Sequence, residues 1–260
     1  MKKNLLFLLI ICLLTNCSSR DDEKAETTDD YFPVKVTRTG RFGDAQTQEY
    51  HYKEVNKLDY IIEPNGWKTV FTYSGNFITK IETFSIEGYS RTKNDYEYKN
   101  NKISKATYSN SMDDSYSEKY IWKNDNEVLI ENEDYSQNVE KSQLFLFFEN
   151  DNLVKTEKYL IANNGTDNFK TTTIFENDNV NNPFKNIVGY RYLTFFHPII
   201  FGQKNNMIKR TITTEGIING IPVSGTGDNF YSVETNDNKY PSSYKILTVD
   251  NIRYQFEYNK

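Results

Sequence analysis

The chain has 260 residues, 31 basic against 36 acidic side chains, and a formal net charge of −5. That balance, without any run of Lys or Arg, lacks the electrostatic footprint of a nucleic-acid binder, and the length suits one large all-β domain. Twenty Tyr and 17 Phe beside a mean hydropathy of −0.73 mean that the core material is aromatic and the rest is polar.

The first predicted element is a leader. Lys2 and Lys3 precede an apolar run over residues 5–14, too short to span a bilayer and right for a signal-peptide core, with Cys17 just beyond it. Leu14-Thr15-Asn16-Cys17 resembles the lipobox of bacterial lipoproteins, with Asn16 where that pattern has a smaller residue. The resemblance implies that residues 1–16 are removed and that Cys17 carries a lipid anchor into the outer membrane. Cys12 would leave with the leader, so no thiol remains for a disulfide, a zinc site or a nucleophile. Losing Lys2 and Lys3 takes the net charge from −5 to −7.

Residues 17–30 are polar and acidic, with nothing apolar to hold them to a core, and are predicted to be a disordered tether. Arg20-Asp21-Asp22 resembles the basic-acidic-acidic export signal of Bacteroidetes-type surface lipoproteins, which implies display on the outer face of the outer membrane. A plain solvated spacer is the alternative reading.

Residues 31–260 form the third element, and a phrase recurs in them about every 25 residues. It reads Phe71-x-Tyr73, Gly75-Asn76, Ile78, Lys80, and then Tyr96-x-Tyr98, Asn100-Asn101, Ile103, Lys105. Tyr120-x-Trp122 with Asp125-Asn126, and Leu146-x-Phe148 with Asp151-Asn152, Leu153 and Lys155, continue it. Weaker copies resume at Val180 and at Ile208, the latter with Arg210 two residues on. The alternating aromatics share one strand face, and the Asn, Asp and Gly residues tolerate the positive φ of tight hairpins. Further turns are expected at residues 177–179, 204–206 and 236–238. The Lys two residues after each aliphatic would share its face, so a snorkelling stem is expected there. Strands at residues 34–39 and 46–52 open the domain, and about 14–18 strands are expected in all. The predicted fold is an all-β antiparallel meander of repeated hairpins, a large porin-like barrel or a strongly curved sheet. Mixed faces such as Ile103-Ser104-Lys105-Ala106-Thr107 argue against a lipid-facing wall.

The phrase is partly similar to the tyrosine–aspartate repeats of cell-surface shell proteins. It resembles more closely a family of uncharacterised Bacteroidetes-type lipoproteins with a soluble, porin-like β-barrel domain. Asn181-Asn182-Pro183-Phe184-Lys185-Asn186, Lys204-Asn205-Asn206 and Asn238-Lys239-Tyr240-Pro241 carry that likeness. It implies a barrel and an envelope location, and no chemistry.

The repeat is interrupted at residues 183–202, the richest apolar stretch outside the leader. Tyr190, Tyr192, Phe195 and Phe196 are candidate ligand-binding residues there, although a plug with buried aromatics is the favoured reading. Neither His51, on the opposite strand face from Tyr50 and Tyr52, nor His197 sits in a catalytic or metal-binding pattern, and Ser224-Gly225-Thr226-Gly227 lacks the ending of a phosphate loop and reads as a hairpin loop. No cofactor or metal is expected. The anticipated function is a lipid-anchored, non-catalytic binding or structural module, monomeric, with a glycan or peptide as the ligand class. The alternative is a surface glycan hydrolase using carboxylates such as Asp113, Asp114, Glu131, Glu133 and Asp134.

Overall fold

The computed structural model describes residues 31–54, 56–112, 114–132, 141–161, 168–193, 203–218, 220–248 and 252–260. The leader, Cys17, the tether, Phe195, Phe196 and His197 lie outside them, as do Asp113, Glu133 and Asp134.

Sixteen strands make the domain. The first six are β1 (Pro33–Thr39), β2 (Ala45–Glu54), β3 (Lys57–Ile62), β4 (Lys68–Ser74), β5 (Phe77–Phe84) and β6 (Ser90–Lys99). Next come β7 (Lys102–Asn110), β8 (Ser115–Trp122), β9 (Glu127–Asn132), β10 (Lys141–Glu149) and β11 (Asn152–Ile161). The last five are β12 (Asn168–Asn181), β13 (Asn205–Ile218), β14 (Ile221–Thr235), β15 (Pro241–Ile246) and β16 (Arg253–Tyr258). Each pairs with the next in sequence, and β16 closes on β1 with Val36 opposite Phe256. The result is a closed antiparallel barrel. Closure leaves no sheet edge to protect.

The tight turns gather at one end. Asn100 and Asn101 have φ of 52° and 60°, and Asn150 and Asp151 have 48° and 69°, the paired left-handed geometry of two-residue hairpins. The central pair of the later turn is therefore one residue earlier than expected.

The sequence pattern placed each Lys beside its aliphatic partner on one face, and the structure corrects this. In β5, Tyr73 faces Ile78 and Thr72 faces Lys80, so Thr79 is an extra residue, a β-bulge. Ser104 and Val154 are bulged in the same way in β7 and β11. The extra residue reverses the alternation, so Ile78, Ile103 and Leu153 point inward while Lys80, Lys105 and Lys155 point out. No snorkelling is required. In β13 the bulge falls at Ile208, between Met207 and Lys209, so these two, not Ile208 and Arg210, hold the repeat positions. Residues 177–179 are an irregularity inside β12 rather than a turn, and residues 224–227 lie within β14, paired with β13, rather than in a loop.

Bulging leaves a carbonyl without its ladder partner, and the second aromatic of the phrase supplies a donor. The Tyr98 hydroxyl donates to the Ile78 carbonyl at 2.8 Å, and the Trp122 Nε1–H donates to the Ile103 carbonyl at 2.8 Å. Tyr52 and Tyr258 donate to the carbonyls of Pro33 (2.6 Å) and Pro241 (2.7 Å), and Tyr244 donates to that of Met207 (2.7 Å). The first residue of each pair packs instead: Phe71, Tyr96, Tyr120 and Leu146 are all buried.

Leu58, Ile78, Ile103, Val128, Leu153 and Met207 form an inner ring at the tight-turn end, each between 0 and 2% exposed, so that end is sealed. Each such side chain contributes about 1.5–3 kcal/mol by burial. The outer wall is the reverse. Lys80–Glu82 (2.9 Å), Lys93–Asp95 (2.7 Å), Lys155–Glu157 (3.4 Å) and Lys209–Glu176 (3.0 Å) are ion pairs on it. A Lys on a lipid-facing strand costs about 2–4 kcal/mol at the bilayer midplane. This wall is chemically matched to water.

Candidate functional site

Residues 182–193 are what the ring closes against. Asn182 is buried, and its side-chain oxygen accepts from the Phe184 amide at 3.0 Å, turning the chain inward. Phe184, Ile187, Tyr190 and Leu193 then join the core cluster of the ring, with Tyr190–Leu193 forming a short 3-10 helix. Two backbone ties hold the segment to neighbouring hairpins: the Val188 amide donates to the Asn56 carbonyl at 3.0 Å, and the Tyr73 hydroxyl donates to the Val188 carbonyl at 3.2 Å. Gly189 has φ of +75°, and a Cβ there would lie 3.0 Å from the Ile78 nitrogen and 3.1 Å from the Asn76 oxygen. Only glycine fits this approach without strain.

The three phrases that carried the family likeness meet at this end. The Asn186 side-chain amide donates to the Tyr31 carbonyl (2.9 Å) and to the Tyr240 hydroxyl (2.8 Å). The amides of Asn181 and Asn182 donate to the carbonyls of Lys239 and Lys204. Asn205 and Asn152 exchange two bonds of 2.9 Å, and the Asn206 side chain reaches Asp178 and the carbonyls of Val180 and Asn181. These Asn residues therefore serve the cap, and not only turns.

Above the cap lies a cavity of about 720 Å³. Tyr190 and Leu193 line its base, and Tyr50, Phe71, Tyr96 and Tyr108 line its walls with Ile61 and Ile81. The polar side chains are Arg38, Gln46, Gln48, Glu63, Thr69 and Asn94. Several are already oriented: Glu63 accepts from Gln48 Nε2 at 2.8 Å and from Thr69 Oγ1 at 3.1 Å, and the Tyr50 hydroxyl donates to Gln48 at 3.2 Å. Burial pushes the Tyr50 and Tyr190 hydroxyls well above their ordinary range, so they stay neutral. A second space of about 560 Å³ shares Gln46, Glu63, Pro64 and Thr69 with the first and continues to Asn65 and Trp67 in the β3–β4 loop.

A smaller cavity of about 240 Å³ lies between Tyr116, Glu118, Ile130, Asn132, Ser142, Leu144 and Lys158. Glu118 accepts from the hydroxyls of Tyr120 (3.1 Å) and Tyr108 (3.3 Å), and burial holds its pKa above the usual carboxylate range.

Of the residues singled out in the sequence, Tyr190 borders the main cavity, and Tyr192 belongs to the same 3-10 helix. His51 stacks on Tyr60 across the strand pair β2–β3 at 4.3 Å, facing away from Tyr50 and Tyr52. Asp114 accepts from Asn110 in a loop, and Glu131 accepts from Gln143. The carboxylates that border cavities, Glu63 and Glu118, were not singled out. The signal for Glu118 was present in the alternation of Tyr116, Glu118 and Tyr120 on one face. Among the described residues there is no group of three or more His, Cys, Asp or Glu placed to hold a metal.

No family model matches the chain, and no curated protein sequence does. Among solved structures it is similar to a porin-like protein from Bacteroides vulgatus ATCC 8482, with a TM-score of 0.60 and 12% identity, over 88% of this chain and 98% of that one. That likeness is one of fold. A porin-like protein from Bacteroides uniformis ATCC 8492 aligns over 87% of this chain and 96% of that one, at a TM-score of 0.39 and 9% identity.

Proposed function

We propose that this chain is a lipid-anchored envelope protein whose water-matched barrel binds a hydroxyl-rich ligand, a saccharide, in its lumen and does no chemistry on it. The observation that carries the reading is the 720 Å³ cavity, in which aromatic rings stand beside amide and hydroxyl side chains. Rings offer flat apolar faces to a sugar, and placed polar groups fix its orientation. The space falls within the range of small-ligand sites, about 300–1,000 Å³.

The absence of catalysis is supported by the state of Glu63 and Glu118, each held by neutral donors in a separate cavity. The anchor is supported by residues 5–14 and Cys17. Tyr31, where the barrel begins, packs on Tyr240 and Tyr258 at the capped end. The buried ring closes that end, which leaves the loop end for ligand entry. Incubating the purified protein on an array of immobilised saccharides tests the reading. Selective retention on a subset is the expected result, and uniform failure to bind any saccharide contradicts it.

A further inference from the structure

Cations stand on both faces of this barrel wall. On the outer wall Lys53, Lys80, Lys93, Lys155 and Lys170 each lie within 4.0 Å of a carboxylate oxygen, as do Lys209 and Arg253. Among the described residues, three cations are directed inward. Arg38 borders the main cavity and Lys158 the smaller one. Arg210 stands in register with buried Phe175 on the inward face of β13, and its Nε is buried without a hydrogen-bond partner. None of the three has an ion-pair partner among the described residues.

The carboxylates that could have neutralised them are engaged elsewhere. Glu63 is held by Gln48 and Thr69, and Glu118 by Tyr108 and Tyr120, so Lys158 shares a cavity with Glu118 without an ion pair. Arg38 and Arg210 are partly buried, and a partly desolvated charge is costly unless something pairs with it. Inward-facing cations without an ion pair give the lumen groups suited to meet an anion.

We infer that the lumen selects acidic saccharides, oligomers carrying carboxylate groups on the sugar ring, with Arg38 and Lys158 as the residues that meet the anion. The inference rests on the reading that the lumen binds saccharide. The rings and the amides of Gln46, Gln48 and Asn94 take the sugar body, and the cations take its charge.

The test is a calorimetric titration of the purified full chain with a galacturonate trimer and with a neutral glucose trimer, at low and at raised salt. The acidic trimer is expected to bind at least tenfold more tightly, with a preference that shrinks as salt rises. Arg38→Gln with Lys158→Gln should remove that preference, bringing the acidic trimer to the affinity of the neutral one. Lys158→Met alone should remove part of it, and Lys80→Gln, on the outer wall, none. Equal or tighter binding of the neutral trimer overturns the inference while sparing the saccharide reading. An acidic preference that survives the lumenal variants overturns the assignment to these residues. Failure of both trimers to bind overturns the inference, and the saccharide array then decides the reading on its own.

Discussion

The phenolic hydroxyl of Tyr98 donates to the backbone carbonyl of Ile78 across 2.8 Å, from the strand next to it in the barrel. Ile78 immediately precedes the bulged Thr79, where the ladder skips a residue and leaves a carbonyl to satisfy. The aromatic repeat and the bulge repeat are thus one device. A turn starts a strand, a bulge turns its Lys to water, and an aromatic from a neighbouring strand closes the hydrogen-bonding account.

Tyr98→Phe keeps the ring and removes only the donor. A buried acceptor left unpaired costs about 1–3 kcal/mol, so the urea midpoint should fall accordingly. An unchanged midpoint would mean that water already serves the Ile78 carbonyl. Tyr98→Ala removes the ring as well and should cost about 2–4 kcal/mol.

Gly189→Ala forces a side chain into the left-handed region and into contact with Ile78 and Asn76. About 1–3 kcal/mol of strain is expected, read as a lower melting temperature. A melt identical to that of the parent protein would show that the cap does not depend on this close approach.

Glu118 gives a pH dependence of definite sign. Burial raises its folded-state pKa, with Lys158 opposing, so the folded state holds the proton more tightly than the unfolded chain does. Its contribution to stability is present below the unfolded pKa, near 4.5, and is lost as pH rises through the folded value. Glu118→Gln should therefore stabilise the protein at pH 7, with the gain shrinking toward pH 4.5. Tyr108 and Tyr120 beside it are phenols that burial pushes further up, so they stay neutral over that window. A gain that grows on acidification would reverse the assigned sign.

How much of this was legible in the chain depends on the period being read. The alternation of Tyr96 with Tyr98 and the Asn100-Asn101 turn made the meander and its strand number readable, because side-chain period and turn chemistry are local. The bulges were not readable, since an extra residue in one strand is defined only against its partner. Lys80 therefore looked misplaced until Thr72 was seen opposite it. The site was less legible still. Arg38, Asn94 and Glu118 come from three different strands and Glu63 from the β3–β4 loop, and only closure of the barrel makes them face one interior.

The anchor is tested separately from the barrel. Cys17→Ala should abolish acyl-labelling and release the protein from the membrane fraction, because several acyl chains hold far more firmly than one. Replacing Arg20, Asp21 and Asp22 with Ala should leave the lipid in place and shield the protein from external protease. An unlabelled parent protein would contradict lipidation, and equal protease cleavage of both versions would reduce the acidic run to a spacer.

The central claim is that ligand enters the lumen rather than sitting on the outer wall, and two adjacent positions separate these cases. Asn94 borders the main cavity, while Asp95, one residue on, faces outward and pairs with Lys93. Asn94→Trp fills the cavity and Asp95→Trp adds the same bulk outside. Titrating each variant with a saccharide retained on the array should show at least a tenfold loss of affinity for Asn94→Trp and no change for Asp95→Trp. Full affinity in Asn94→Trp, or its loss only in Asp95→Trp, would contradict the account.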